Sequence, residues 1–213
     1  TKLMSKVFGD WVNDLGFYKF KQVTHQGIPM VIARMGYSRE LCYELFLQDG
    51  SKGNDLWELL WEAGQEFKIS AGGPNIILRL EGGILSYLAD IDRSNNPYEV
   101  GLDWLVDLEQ EDDFIGKEAL RLVSQNGPTK KLMGAEIHGD PIEDSNADHW
   151  PVFINGKKVG SMNAMVYSPR LDKNICYTIL DIEHAKSGQE IVIAAPEKDL
   201  MATTVDLPWR ERA

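Results

Sequence analysis

The apolar positions in the first part of the chain change from helical spacing to strand spacing. Spacings of three and four predict a short helix over residues 3–8, which Gly9 ends. Runs of aromatic and apolar residues predict strands over residues 17–23 and 29–34, and the His-Gln-Gly turn between them makes a hairpin. A third predicted strand, over residues 42–47, alternates its side chains between two faces. These segments predict a small sheet.

Helices follow the sheet in the sequence. Apolar residues on one side of a helical period predict an amphipathic helix over residues 55–67. Another helix is expected after Gly72-Gly73, because Pro74 is tolerated in a first helical turn and an apolar run follows it. The alternation of strands and helices is typical of an α+β fold with helices on one side of the sheet.

The second half of the chain has a different pattern. An acidic run at residues 109–113 marks the change, and a short helix is predicted over residues 117–123. Short strand patterns and turns follow, and the Asn155-Gly156 pair is a strong hairpin signal. The predicted strands cover residues 132–137, 152–154, 159–165, 175–181, 190–194 and 202–207. Their regular turns predict a small antiparallel barrel or sandwich.

The composition indicates a soluble globular protein and argues against nucleic acid as a partner. The 33 acidic and 22 basic residues give a formal net charge of −11, which repels phosphate backbones. No apolar run reaches the roughly 20 residues of a membrane helix, and the first residues lack a secretory signal. We therefore expect a cytoplasmic protein that does not bind membranes.

The sequence predicts neither a metal site nor a disulfide. Cys42 and Cys176 lie far apart without metal-ligand spacing, and their apolar neighbours indicate buried, reduced thiols. The 4 histidines also lack ligand spacing, and no metalloprotease or serine-hydrolase motif is present.

Four segments occur in the order found in one enzyme family. They read GYSRELCYEL at residues 36–45, LRLEGG at 78–83, ADID with NPYEVGL at 89–102, and FIGKEAL at 114–120. Together they resemble the aminomethyltransferase family, which includes the glycine-cleavage T-protein. A later segment, YSPRL at residues 167–171, is similar to the family's C-terminal domain. Together with NNPYEVG at 95–101 and EGGIL at 81–85, it looks most like the dimethylsulfoniopropionate demethylase branch.

The resemblance implies two domains and a folate-dependent reaction. Residues 1–110 would be the C-terminal part of a folate-binding α/β sandwich domain, and residues 111–213 would be the family's small antiparallel β-barrel domain. The implied cofactor is tetrahydrofolate, and the implied partner is a small-molecule donor of an aminomethyl or methyl group. Family members carry a sizeable section before the segment that begins here, so the chain is expected to be N-terminally incomplete. A homo-oligomer would cover the sheet edge left open.

The resemblance also implies cofactor-binding residues, while the catalytic residues stay unknown. A pterin ring presents its 2-amino group and N3–H on one edge, and a single carboxylate can accept both hydrogen bonds. Glu44 occupies the second glutamate of the signature and is the expected acceptor; an exposed strand glutamate is the alternative. Tyr37 matches an aromatic residue of the folate cleft. Tyr18 is a further candidate, with core packing as its alternative.

Two arginines complete the predicted site. Arg79 and Arg170 would each meet the glutamyl tail of folate; the alternatives are an internal ion pair for Arg79 and a loop cap for Arg170. Asn75 stands where glycine-cleavage enzymes have a folate-contacting arginine. Arg39 and Cys42 occupy glycine positions of the signature. These departures argue against glycine cleavage itself.

Two other functions compete with the transferase. The first is a non-catalytic folate-binding or regulatory module with the same fold, which Asn75 and the expected missing section favour. The second is the folate half of a larger dimethylglycine or sarcosine dehydrogenase, although the sequence contains no flavin-binding segment to support it.

Overall fold

The chain divides after Leu78 into two units in the computed structural model, which describes residues 1–145 and 148–209. The first unit contains helix α1 (Lys2–Phe8), strands β1 (Phe20–His25), β2 (Ile28–Ala33) and β3 (Glu44–Leu47), and helix α2 (Gly53–Gly64). Helix α3 (Ile76–Glu81) crosses the division. The second unit contains helix α4 (Lys117–Asn126) and strands β4 (Lys130–Ile137), β5 (Trp150–Ile154), β6 (Lys157–Ser168), β7 (Lys173–Asp181), β8 (Glu190–Ala194) and β9 (Asp199–Val205). The domain boundary expected near residue 110 stays a prediction.

In the first unit, α1 and α2 pack on the same face of the sheet. Its three strands are antiparallel in the order β1-β2-β3. Alternate residues of β2, Met30 and Ile32, are fully buried against Met4 of α1 and Leu56 of α2. Each buried aliphatic side chain of this kind contributes roughly 1.5–3 kcal/mol of transfer free energy. The α+β arrangement expected from the sequence is confirmed.

Two strands begin later than their sequence patterns predict. The pattern starts at residue 17, but Tyr18 has a φ of 57°, so regular β1 begins only at Phe20. The third strand begins at Glu44 instead of residue 42, because the chain before it forms an irregular loop. Turns with positive φ interrupt a strand without changing its apolar pattern, and the pattern therefore does not show where pairing starts.

The helices are close to their expected positions. The amphipathic pattern over residues 55–67 is divided between α2 and a 3₁₀ turn, Gln65–Phe67, that ends where Lys68 adopts a φ of 55°. Helix α4 continues three residues past its predicted end to Asn126. Within the described ranges, no helix is long and apolar enough to cross a membrane.

The second unit is built on a closed antiparallel barrel. Its six strands follow the order β4-β7-β6-β5-β8-β9, and pairing of β4 with β9 closes it. Closure removes the unpaired edges that an open sheet would expose. Buried side chains from different strands fill the interior, among them Met133, Met162, Leu180, Ile191 and Ile193. The antiparallel barrel is confirmed, and it is the barrel rather than the sandwich alternative that forms.

The turn between β5 and β6 has the backbone conformation that its Asn-Gly sequence predicts. Asn155 and Gly156 have φ values of 50° and 78°, and both positive angles match the type I′ turn that suits the twist of a hairpin. Asparagine and glycine accept this conformation more readily than other residues. The predicted hairpin is therefore confirmed.

We predict that the two cysteines differ in reactivity. Burial raises the pKa of the Cys176 thiol well above its usual range, whereas Cys42 is only partly buried. Because the thiolate is the reactive form, a thiol reagent at mildly alkaline pH should modify one cysteine of the folded chain quickly, and peptide mapping should identify it as Cys42. Cys176 should react only after denaturant unfolds the chain. Equal rates in the folded chain would contradict this expectation.

Candidate functional site

Glu44 lies on the face of the sheet opposite the helices. It pairs with Ala33 as the first residue of β3. Leu45 and Leu47 pack against the hydrophobic core, so the alternation of a strand turns Glu44 and Phe46 to the other face. The Glu44 side chain is half-buried, and its carboxylate makes no hydrogen bond or ion pair with the described part of the chain. It is thus an available acceptor, and the fully exposed alternative is not what forms.

A short loop closed by Cys42 leads into Glu44. The Cys42 thiol donates to the Glu40 carbonyl oxygen at 3.2 Å, and the Ser38 hydroxyl accepts from the Glu40 N–H at 3.3 Å. A Cβ on Gly36 would lie 2.0 Å from the Cys42 sulfur, so the thiol occupies the space that Gly36 leaves. Arg39 has a φ of 57°, the left-handed conformation that glycine adopts most easily. The loop thus accommodates both departures from the family signature.

The two predicted tyrosines have exposed rings in the first unit. Tyr37 belongs to this loop and is 44% exposed. Tyr18 is 57% exposed, and its ring meets the Phe17 ring edge-on at a centroid distance of 4.8 Å. Core packing, the alternative for Tyr18, is therefore wrong. Each ring has an open surface that a flat ligand could cover, and their roles in folate binding stay predictions.

Arg79 is buried in an ion pair with Asp90. One guanidinium nitrogen binds one carboxylate oxygen of Asp90, and the second nitrogen donates to the other oxygen at 3.4 Å. Arg79 also donates to the Ile84 carbonyl oxygen, and the Ser86 N–H donates to Asp90 at 2.6 Å. The internal ion pair, the alternative from the sequence, is the contact that forms. The predicted contact of Arg79 with folate stays a prediction.

Glu81 anchors the segment that carries Arg170. Its carboxylate is completely buried and accepts a hydrogen bond of 2.6 Å from the Ser168 hydroxyl. That hydroxyl also accepts from the Leu171 N–H at 3.1 Å. The Arg170 guanidinium lies 3.6 Å from Glu81, and its side chain is 48% exposed. Arg79 and Glu81, two apart on α3, therefore have different partners, as their spacing predicts. The predicted contact of Arg170 with the folate tail stays a prediction.

Sequence reasoning did not find the partners of Glu81 or the role of Tyr177. The Tyr177 hydroxyl lies 3.1–3.3 Å from the carbonyl oxygens of Arg79, Leu80 and Ile84. The hydroxyl carries one proton and can donate to one of these carbonyl oxygens at a time, close to the end of α3. A tyrosine within an apolar strand pattern gives no sign of this role. Glu81 and Ser168 lie 87 positions apart, and nothing in the sequence pattern links them.

Asn75 has a structural role at the start of α3. Its side-chain oxygen accepts from the N–H groups of Ile77 and Leu78 at 2.9 and 3.2 Å. Asparagine is among the favoured residues for capping a helix N-terminus in this way. The residue that stands in place of the family's arginine is therefore engaged in a helix cap.

A cavity of about 350 Å³ in the second unit is lined by residues other than the predicted ones. Two side-chain pairs occupy its wall. The Tyr167 hydroxyl donates to Asp172 at 2.7 Å, and this bond raises the pKa of Tyr167. Lys173 binds both carboxylate oxygens of Glu136 at 2.7 Å. Because these groups bind one another, we assign no ligand to the cavity.

Comparison with known proteins identifies the family. The chain matches the model of the GCVT N-terminal domain over residues 1–110 and that of the glycine cleavage T-protein C-terminal barrel domain over residues 130–209. The chain therefore belongs to the glycine-cleavage T-protein family, and the resemblance seen in the sequence is confirmed.

The relatives include both branches considered from the sequence. The chain is 33% identical over 210 residues to the dimethylsulfoniopropionate demethylase DmdA of Ruegeria pomeroyi, covering 98% of this chain and 56% of that protein. It is 32% identical over 216 residues to the aminomethyltransferase of Bacillus mycoides, covering 99% and 57%. The chain thus spans about half the length of the curated relatives it matches.

A solved structure shares the fold. The glycine cleavage system aminomethyltransferase T from Bartonella henselae matches with a TM-score of 0.80 at 22% identity, over 94% of this chain and 54% of that one. The α+β unit and the barrel are therefore those of the T-protein fold.

We predict that Asp90→Ala destabilises the chain strongly. Removal of the carboxylate would leave the Arg79 guanidinium buried without its charge partner, a change that costs about 3–5 kcal/mol. Chemical denaturation should show it as a lower free energy of unfolding. The control is Lys157→Ala, which breaks an ion pair with Glu183 whose two side chains are 67% and 63% exposed; it should leave stability nearly unchanged. Similar effects of the two variants would contradict the role given to the buried pair.

We also predict that Gly36→Ala destabilises the loop before Glu44, because the new methyl group would overlap the Cys42 sulfur. Overpacking of this kind typically costs about 1–3 kcal/mol. The double variant with Cys42→Gly, which restores the family residue, should recover part of the loss in thermal unfolding. Additive losses in the double variant would show that the two side chains do not compete for space.

Proposed function

We propose that this chain supplies the folate-binding part of a tetrahydrofolate-dependent one-carbon transferase that moves a methyl or aminomethyl group from a small-molecule donor. The single observation that carries the proposal is the half-buried Glu44 carboxylate, which projects from the sheet face opposite α1 and α2 and has no partner in the described part of the chain. The family and the relatives agree with this chemistry.

Glu44 fits the pterin edge for two physical reasons. An ionised carboxylate has two acceptor oxygens, and the pterin edge has two N–H donors of matching spacing. Partial burial lowers the local dielectric constant, which strengthens such bonds compared with those in water. Half-burial also keeps one side open to a ligand, unlike the sealed positions of Glu81 and Arg79.

The other predicted residues receive separate roles in this proposal. Tyr37 and Tyr18 would cover ring surfaces of the cofactor. Arg170 would bind a carboxylate of the glutamyl tail, since its side chain is 48% exposed. For Arg79, whose side chain is buried with Asp90, the proposal replaces the folate contact expected from the resemblance with a role in positioning the backbone.

The proposed reaction is a transfer to N5 of tetrahydrofolate. For a methyl donor, the bond between the donor atom and the methyl carbon would break with its electron pair left on the donor, a carbon–nitrogen bond would form at N5, and the N5 proton would pass to solvent. For an aminomethyl donor, N10 would then displace ammonia from the transferred carbon, which gives methylenetetrahydrofolate. Most of the acceleration would come from holding donor carbon and N5 at attacking distance, with proton movement as a second contribution. The similarity to DmdA makes a sulfonium compound a donor worth testing alongside an aminomethyl donor.

A non-catalytic folate-binding module is the second candidate. The observation in its favour is Asn75, whose side chain caps α3 where glycine-cleavage enzymes have an arginine. Such a module would bind tetrahydrofolate with the same dependence on Glu44 and would not transfer a carbon. An assay for 5-methyltetrahydrofolate and methylenetetrahydrofolate formation, with sulfonium and aminomethyl donors, separates the two functions.

We predict that Glu44→Gln weakens tetrahydrofolate binding by about 1–3 kcal/mol, the cost of leaving a donor without its charged acceptor. Isothermal titration calorimetry of the purified chain under reducing conditions measures this change in the free energy of binding. Glu58→Gln is the matched control, because Glu58 is an exposed glutamate on α2. Binding that is equal in both variants and in the unchanged chain would remove Glu44 from the site.

A further inference from the structure

The face of the sheet that carries Glu44 also carries two exposed phenylalanines. Strand pairing puts Phe20, Ala33 and Glu44 in one row across the three strands. The neighbouring row includes Val31 and Phe46. Phe20 is 65% exposed and Phe46 is 49% exposed. Directly paired residues of an antiparallel sheet point to the same side, so both rings share the face of the carboxylate.

The spacing of these side chains follows from sheet geometry. Phe46 is two residues after Glu44 on β3, which places their Cα atoms about 7 Å apart. Phe20 lies two strands away in the row of Glu44, roughly 10 Å across the sheet. The two phenylalanines therefore border the carboxylate on two sides, one along the strand and one across it. Ala33, between Phe20 and Glu44, has a small side chain that does not separate them.

The Glu44 carboxylate beside two exposed phenylalanine rings suits a flat ligand with N–H donors on one edge better than it suits an apolar protein segment. Large apolar side chains that are exposed together on one face mark binding surfaces. An apolar segment laid on this face would bury the Glu44 carboxylate without a donor, which is unfavourable. A heterocycle that gives N–H groups to Glu44 and a ring surface to the phenylalanines satisfies both kinds of side chain.

We infer that Phe46 packs against the ring of the pterin bound by Glu44, and that Phe20, on the other edge strand β1, borders the same ring. This inference rests on the proposed function and adds two residues that set preference for a flat heterocycle. Phe46 is the main contact because it is the nearer of the two. The opposite face of the sheet has no part in this contact, since Lys21 there lies over the Trp11 ring at 4.5 Å.

The test uses 6-methyltetrahydropterin, which has the pterin ring without the benzoylglutamate tail. Its affinity for the purified chain should fall about tenfold in Phe46→Leu, which keeps an apolar side chain and removes the ring. Phe46→Tyr should retain most of the affinity, because it keeps the ring. Phe20→Leu should lose less than Phe46→Leu. Lys21→Ala, on the opposite face, is the control and should bind as the unchanged chain does. Circular dichroism verifies that each variant is folded.

Three outcomes would overturn the inference. If Glu44→Gln weakens binding and Phe46→Leu does not, the phenylalanine contact is wrong while the proposed function stands. If the unchanged chain and Glu44→Gln bind the pterin equally, the phenylalanine contact and the proposed function are both wrong. If Phe46→Leu leaves pterin affinity unchanged but abolishes a dimer seen by light scattering, the face is covered by a second copy of the chain.

Discussion

The buried pair of Arg79 and Asp90 is the interaction on which the second unit depends. Taking two charges out of water is costly, and such a pair is stable only when further hydrogen bonds complete it. Here the Ile84 carbonyl and the Ser86 N–H complete it, and the Asn163 amide donates to the Asp90 carbonyl oxygen at 2.5 Å. The pair therefore fixes the chain after α3 on the barrel strand β6.

Polar contacts of this kind connect the barrel strands to α3 and to the chain after it. Ser168 and Tyr177 reach from barrel strands to Glu81 and to the carbonyl groups at the end of α3. The barrel interior combines an apolar cluster with buried threonines, of which Thr178 donates to the Met133 carbonyl oxygen at 3.3 Å. Hydrophobic burial is not directional, whereas each buried polar group requires a particular partner. The position of the segment from Arg79 onward is thus specified by hydrogen bonds, and the barrel strands by packing.

The sequence predicted the elements well and their polar partners poorly. Apolar periodicity revealed the sheet, α2 and the barrel strands because burial repeats with the period of each element. It misplaced the start of β1, since the positive φ of Tyr18 leaves no trace in hydrophobicity. The acceptor role proposed for Glu44 comes from the family signature and stays a prediction. Asp90 lies 11 positions from its partner Arg79, and Ser168 lies 87 positions from its partner Glu81. One sequence without an alignment does not reveal such pairs.

Side chains alternate between the two faces of the three-stranded sheet, so a substitution changes either the outward surface or the packing of the helices. Substitutions at Phe46 or Phe20 alter the outward surface, while Met30 and Ile32 on the inward surface keep the helices attached. A lineage can therefore change the outward surface without rebuilding its hydrophobic interior. A shift of pairing by a single residue would exchange the two surfaces and lose both at once, which makes strand register, more than any individual side chain, the feature that selection must preserve.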